Sequence, residues 1–516
     1  MLSALIFLPL VFAVIISFLN DKKMIRLIAL TGAIFEFALC ILMLSKFNPD
    51  IINLQLVEKK AWLPSVGINY FLGIDGISVW LVVLTAFLTP ITILGSWKAI
   101  DQKVRGFHIS LLVLESAMLG SFLAIDAVLF YVFFEASLIP MYFIVGIWGG
   151  ANRIYATIKF FIYTMVGSLF MLLAIISLMY LTKALPEGQM SASVLDFYRL
   201  NLPFIAGDFF STQALLFFAF ALAFAIKVPM FPFHTWLPDA HVQAPTPGSV
   251  ILAGVMLKMG TYGYLRFAIP LFPEATDYYS WLFLLLGVVG IIYGALVAMV
   301  QPDVKKLVAY SSVSHMGYVI IGLFALNEIG IMGGLYQMLN HGISTGALFL
   351  LVGMIYERTH SREISKYGGL APVAPIFTII FMIVTMSSIA VPLTNGFVGE
   401  FMILLGTFKA KPVYAYFAVL GVVLGAAYML WMVKKVFFGP EGEIVVKYKN
   451  QGLDLNAREI VVMTPLVIMI FWMGLFPNTF FKYSEKSIKH LVENRLDYTL
   501  QVEHSQKSDF KTSEVK

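Results

Sequence analysis

Runs of about twenty predominantly apolar residues recur along almost the whole chain, starting near positions 3, 25, 77, 108, 127, 156, 213, 247, 281, 307, 331, 375, 413 and 460. Wound as an α-helix, a run of that length crosses the roughly 30 Å hydrocarbon core of a bilayer while satisfying its own backbone hydrogen bonds. The predicted fold is therefore all-α and polytopic, with about 14 transmembrane helices. Composition agrees: of 516 residues, 59% are hydrophobic and 13% charged, roughly half the charged share of an average soluble domain. The first run ends near Leu19 and is followed by Asp21, Lys22 and Lys23 and then a second run. No small-residue cleavage site intervenes, so it reads as a retained helix rather than a signal peptide.

Several function classes fall away. The net charge of +5 is dispersed and no basic stripe interleaves with aromatics, which sets nucleic-acid binding aside. The single cysteine, Cys40, leaves no disulfide framework, cysteine zinc site or iron–sulfur cluster within the chain. Neither G-x-G, G-K-[ST] nor H-E-x-x-H occurs, so any nucleotide or redox chemistry belongs to a partner.

The loops divide by charge. One alternate set holds Lys22, Lys23, Arg26, Lys98, Lys103, Arg105, Arg153, Lys305, Lys306, Arg358, Arg362, Lys366, Lys434 and Lys435; the other holds chiefly Lys59, Lys60, Lys183, Arg199 and Lys409. The richer set is expected to face the cytoplasm. With an even number of spans, both termini then lie on the opposite, periplasmic side.

Five regions are expected: 1–107 with the first three helices and a connecting loop, a five-helix block at 108–270, a second at 271–440, a loop and last helix at 441–482, and a polar tail at 483–516 read as a short surface helix or a disordered segment. Each block contains an apolar segment interrupted by proline beside an ionisable residue: Lys227-Val228-Pro229 in one, Val391-Pro392 followed by Gly399-Glu400 in the other. An odd number of helices per block makes the two blocks inverted repeats. Broken helices at matching places in inverted halves are a sequence pointer to an ion pathway.

A charge at the bilayer centre costs about 2.5–3.5 kcal/mol on the lenient insertion scale, so each one needs a partner or a purpose. Lys258 lies eleven residues past Pro247, about 16 Å along a helix and close to the midplane. Lys227 lies deep in the run beginning at Ala214, just before Pro229, and Glu135 follows five consecutive bulky apolar residues. A lysine whose carboxylate neighbour can move is a proton switch; a static buried Glu135–Lys227 pair fixing helix register is the plainer alternative. Glu400 is a candidate exchange group or a simple half-helix cap. His315 and His341 sit among serines and glycines in consecutive runs and suit a wet relay, or else a helix–helix hydrogen bond. Glu36 and Lys159 are expected to face headgroups or neighbouring subunits, and Glu115 to belong to an entry route. His234 and His241 straddle Trp236-Leu237-Pro238-Asp239-Ala240; with one nearby carboxylate they read as an interfacial turn rather than a metal site.

The stretch from Ala225 to His241 (AIKVPMFPFHTWLPDAH) resembles the signature of the antiporter-like membrane-arm subunits of respiratory complex I and their cation/proton antiporter relatives. So do Phe134-Glu135, Leu257-Lys258-Met259-Gly260 and the stretch from Asp303 to Gly317 (DVKKLVAYSSVSHMG). Within that family the chain is most similar to the M-type chains of NADH:quinone oxidoreductase, because Gly396-Phe397-Val398-Gly399-Glu400-Phe401 carries glutamate where the L and N types carry lysine. Val391-Pro392-Leu393-Thr394-Asn395 departs from the Pro-Gly-Thr-like turn usual there.

The resemblance implies roles residue by residue. Glu135 would modulate Lys227, Lys258 would be the central proton carrier, His315 and His341 would line the polar axis, and Glu400 would be the terminal exchange group. It implies no cofactor in this chain, with NADH, FMN, iron–sulfur clusters and quinone held by partner subunits. It also implies membrane-arm neighbours of the L and N types; the long polar tail and the absence of organellar cues favour a bacterial inner membrane over a mitochondrial one. A subunit of a multisubunit Na⁺/H⁺ antiporter and a membrane scaffold whose charges are only helix glue are the rival readings.

Overall fold

The computed structural model describes residues 1–494. Helices α1 (Leu2–Ser17) and α2 (Lys22–Lys46) lead into a hairpin of β1 (Gln55–Leu63) and β2 (Ile68–Ile74), then α3 (Val79–Gly95), α4 (Val104–Leu123), α5 (Ala127–Ala136), α6 (Leu138–Trp148), α7 (Arg153–Leu181) and the short α8 (Val194–Phe197). Next come α9 (Thr212–Lys227), α10 (Trp236–Gln243), and a continuous helical segment of α11 (Thr246–Ile251), α12 (Leu257–Gly263) and α13 (Ile269–Leu271) joined by π-turns at 252–256 and 264–268. The rest are α14 (Pro273–Met299), α15 (Val304–Phe324), α16 (Glu328–Thr359), α17 (Pro375–Ser388), α18 (Asn395–Ala410), α19 (Pro412–Phe437), α20 (Glu443–Tyr448), α21 (Ala457–Leu475) and α22 (Asn478–Asn494). Among the described residues nine helices are long and apolar enough to cross a membrane, and α1, α3, α9 and α17 are shorter apolar helices. The β-hairpin occupies what was expected to be the connecting loop within 1–107.

Both expected interruptions exist, and each is stabilised by its own sequence. At the first, Pro229 has no N–H for the Ala225 carbonyl, and the Met230 amide takes that acceptor at 2.8 Å. The Ile226 carbonyl, orphaned at the end of α9, accepts from the Trp236 indole at 2.8 Å. At the second, Ala390 and Leu393 have positive φ of 57° and 76°, turning the chain between α17 and α18. A Cβ on Gly396 would come within 2.1 Å of the Ser387 carbonyl, so only glycine lets the two half-helices close on each other here.

Helices α15 and α16 form the centre, nearly all of their apolar windows buried. The chain ends are fastened to the rim. The N-terminal amine and the Ser3 hydroxyl bind Glu58 of the hairpin, and the Asn69 amide donates to Asp126 at 2.9 Å. Helix α22 begins ahead of the polar tail expected from 483. It buries Phe480, Ile488 and Leu491 and clasps Gly76 through Ser484 and Ser487; the tail beyond 494 lies outside the described residues.

Beside that clasp, Arg266 in the second π-turn reaches Asp75 at 2.6 Å, both buried. Removing one member of a buried pair strands the other, at a cost of about 3–5 kcal/mol. Asp75→Leu should accordingly lower the thermal midpoint of the detergent-solubilised protein by several degrees; an unchanged midpoint would show that Arg266 is held by Tyr262 alone.

Candidate functional site

Four of the six residues singled out from the sequence meet in the buried centre. Lys258, in the turn after the first π-turn, donates from Nζ to the Ala253 carbonyl within that π-turn and lies 2.8 Å from Nδ1 of His341 on α16. Either group can hold the proton between them: the ammonium donates to a neutral imidazole, or the imidazole donates to a neutral amine. The His341 and His315 ring centres are 6.0 Å apart. His315 on α15 in turn places Nδ1 3.1 Å from Glu400 Oε1 and Nε2 3.4 Å from the Ser388 hydroxyl.

Glu400 does not cap its half-helix. It stands in the second turn of α18, where the dipole has little effect, and Gln337 donates to it at 3.1 Å alongside His315. Around the second break Ser344, Ser387 and Asn395 hydrogen-bond to one another. His315, Gln337, Asn340, His341, Ser344 and Ser388 line a cavity of about 10 Å³, the lower limit for one water molecule. Polar lining, small volume and exchangeable protons suit a relay rather than a substrate pocket.

Lys227 and Glu135 sit apart from that row. The Lys227 ammonium, buried at the last position of α9, lies 3.3 Å from the Ser137 hydroxyl and 4.6 Å from the centre of the Phe134 ring. It makes no ion pair with Glu135, which is half-buried beside Ser168 and close enough only to feel the lysine's charge. The static-pair alternative is thus not what the structure holds: the interruption of the helix at Ser137, between α5 and α6, inserts a hydroxyl where the carboxylate was expected.

Sequence reasoning missed several members. His241 is fully buried with neither ring nitrogen hydrogen-bonded, stacks on Phe349 at 4.7 Å and lies within electrostatic reach of both Lys258 and Lys305. Lys305, counted among the loop charges, is buried and donates to the Ala244 carbonyl. It lines a cavity of about 430 Å³ with Trp148, Gln243, Thr246 and Arg362. Its place beside the N-cap Asp303 hid it, since that position also fits a surface turn. Lys159, partly exposed, pairs with Asp239 at 2.7 Å, and Glu36 is wholly buried. Among the described residues no three histidine, cysteine or acidic side chains are placed to hold a metal ion.

Comparison with known proteins gives concordant matches. Residues 124–425 match the family described as NADH:quinone oxidoreductase/Mrp antiporter, TM, and residues 1–121 match NADH-ubiquinone oxidoreductase chain 4, amino terminus. The chain is 46% identical over 502 residues to the NADH-quinone oxidoreductase subunit M of Rhodobacter capsulatus, covering 96% of each. It superposes on a chain of the respiratory complex I from Thermus thermophilus with a TM-score of 0.85 at 33% identity, covering 96% of this chain and 99% of that one. A chain of the Mrp complex from Dietzia sp. DQ12-45-1b shares the fold, with a TM-score of 0.81 at 18% identity over 97% of this chain and 99% of that one.

The direct His315–Glu400 contact predicts energetic coupling. In a double-mutant cycle with His315→Asn and Glu400→Gln, thermal unfolding in detergent should return an interaction energy of about 1–3 kcal/mol. Additive effects would mean the two side chains do not share a hydrogen bond.

Proposed function

The chain belongs to the NADH-quinone oxidoreductase subunit M family, and on that premise we propose a route for the protons it moves. It is a membrane subunit of the proton-translocating NADH:quinone oxidoreductase, complex I, and takes no part in electron transfer itself. In our reading, a proton enters from the cavity at Lys305, passes His241 to Lys258, crosses His341 and His315, and leaves through Glu400. Lys227 and Glu135 set the timing, because the charge on Glu135 favours or releases the ammonium of Lys227 across the Ser137 hydroxyl. The observation that carries this is the contact row Lys258–His341 at 2.8 Å and His315–Glu400 at 3.1 Å.

The transported ion is H⁺ in this reading. An ammonium at the centre repels Na⁺, and imidazole and amine nitrogens are proton carriers rather than Na⁺ ligands. A free-standing Na⁺/H⁺ antiporter role is correspondingly disfavoured; the likeness to the Mrp chain is one of fold. NADH, FMN, iron–sulfur clusters and quinone belong to partner subunits, and L- and N-type chains flank this one. Counting the nine long helices, the four shorter ones and the 246–271 segment once each supports the fourteen crossings expected from sequence. That even number puts both termini on the periplasmic side of a bacterial inner membrane, with 108–270 and 271–440 as inverted blocks around the axis.

The route is tested by substitution within the intact complex. Glu135→Gln and Lys258→Met should each leave an assembled, membrane-bound complex whose proton pumping per NADH oxidised falls to a small fraction of normal in inverted vesicles. Full pumping in either variant would remove that residue from the route, and loss of the assembled complex on native gels would favour the scaffold reading instead.

A further inference from the structure

A second set of buried ionisable groups lies outside this route, among α2, α3 and α4. Helix α2 is largely exposed on its outer side, and its buried stripe runs through Ile25, Ala29, Ala33, Glu36, Cys40 and Met43. Glu36, on that stripe, is 0% exposed, and so is Glu115 on α4. They are close enough to feel each other's charge, and none of their four oxygens has a hydrogen-bond partner. From Arg26 to Glu36 is about 15 Å along the helix, so no cation neutralises them directly. Two carboxyls in a dry interface disfavour the doubly anionic state, so at neutral pH a proton resides there and leaves only as the pH is raised.

A polar stripe of α3 runs past this couple. Thr85, Thr89 and Thr92 are buried on it, and the Thr89 hydroxyl stands beside Glu115. One turn into α4, His108 donates from Nδ1 to the Val104 carbonyl at 2.8 Å. That bond fixes the tautomer and leaves Nε2 as a buried acceptor without a partner. Arg26, near enough to act on His108 electrostatically, reaches Asp101 at the exposed end. The adjoining stripe of α3, about 100° around the helix, is apolar. Leu88 packs so closely on the helix of Lys258 that a Cβ on Gly254 would come within 2.6 Å of it, and Leu84 lies 2.8 Å from the corresponding point on Gly342 of α16. These leucines separate the couple from Lys258 and His341.

We propose that Glu36 and Glu115 form a proton-binding site separate from the Lys258–Glu400 route and open only toward the face carrying Arg26, with His108 as the group through which the proton enters. Water at that face gives a proton to His108 Nε2; the imidazolium passes it, past Thr92 and Thr89, to a Glu115 carboxylate that shares it with Glu36. No group of three donors accompanies the pair among the described residues, so the bound species is a proton rather than a metal ion. The site does not depend on the route proposed above, since it shares no residue with it.

The intact complex in inverted membrane vesicles, where the face carrying Arg26 is outward, provides the test. Dicyclohexylcarbodiimide adds from the lipid phase to protonated carboxyl groups, and peptide mass spectrometry locates it. Label is expected at Glu36 or Glu115, with a yield that falls severalfold as outer pH is raised at fixed inner pH and does not respond to inner pH. His108→Leu should blunt that response. Label at neither residue, a yield that follows inner pH, or one indifferent to both would overturn the proposal; an undiminished response in an assembled His108→Leu complex would overturn the entry route.

Discussion

Charge cannot be left alone in hydrocarbon, and the architecture of this chain follows from how it meets that constraint. Lys258, His341, His315 and Glu400 would each be costly in isolation. Placed in a row, Lys258 partners His341 at 2.8 Å and His315 partners Glu400 at 3.1 Å. The row is stable because it is polar throughout, and for the same reason it can carry a proton. Its one wide interval, 6.0 Å between imidazole centres, is where a ring must turn or a water must enter before a proton crosses. Lys227 is the exception to pairing. A neutral hydroxyl and an aromatic face hold its ammonium, an arrangement sensitive to any change in charge on Glu135.

The helix breaks make the row possible. An unbroken helix at 212–243 would leave no room for the Trp236 indole on the Ile226 carbonyl. Ending at Lys227 places the ammonium at the negative end of the α9 dipole. At the second break, Gly396 lets α18 approach Ser387, which brings Asn395 and Glu400 to the buried faces of α15 and α16. Two wide π-turns in the segment between do comparable work: one carries the Ala253 carbonyl that receives Lys258, the other carries Arg266 to Asp75. Such turns concentrate where helices must do more than span.

Much of this was legible in the sequence, and the boundary of legibility is physical. Apolar run length foretold the helical, membrane-spanning fold, and proline beside a deep ionisable residue foretold both breaks, since each rests on a local rule. Depth along a helix singled out Lys258, and the second proline-interrupted segment singled out Glu400. What depth cannot give is direction around the helix axis, and the misplacements share that cause. Glu36 was assigned to the rim although it lies on the narrow buried stripe of a mostly exposed helix, and Lys305 was counted with loop charges although it points inward at the start of α15. His241 was read as part of a turn because its neighbours Pro238 and Asp239 are turn residues; its burial depends on Phe349, more than a hundred positions away. The β-hairpin at 55–74 was missed because β1 is largely exposed and β2 is a mostly apolar run whose second half is buried, so neither carries a clean alternation.

Insulation matters to such a machine as much as wetness. A pump fails when any state joins both faces by a continuous file of exchangeable groups, because protons then return down their gradient. The structure contains two polar systems within the span of a few helices, and α3 lies between them with threonines on one face and leucines on the other. Period 3.6 makes that possible in a single helix: Thr85, Thr89 and Thr92 fall on one stripe, Leu84, Leu88 and Ile91 on the adjoining one. The hydroxyls each return to a carbonyl of their own helix, so the polar face costs little in stability, while Leu88 and Leu84 pack closely on Gly254 and Gly342 and put apolar side chains between the two systems. In the proposed scheme, enlarging that gap would be as damaging to coupling as removing a carboxylate, because protons could then cross between the two polar systems.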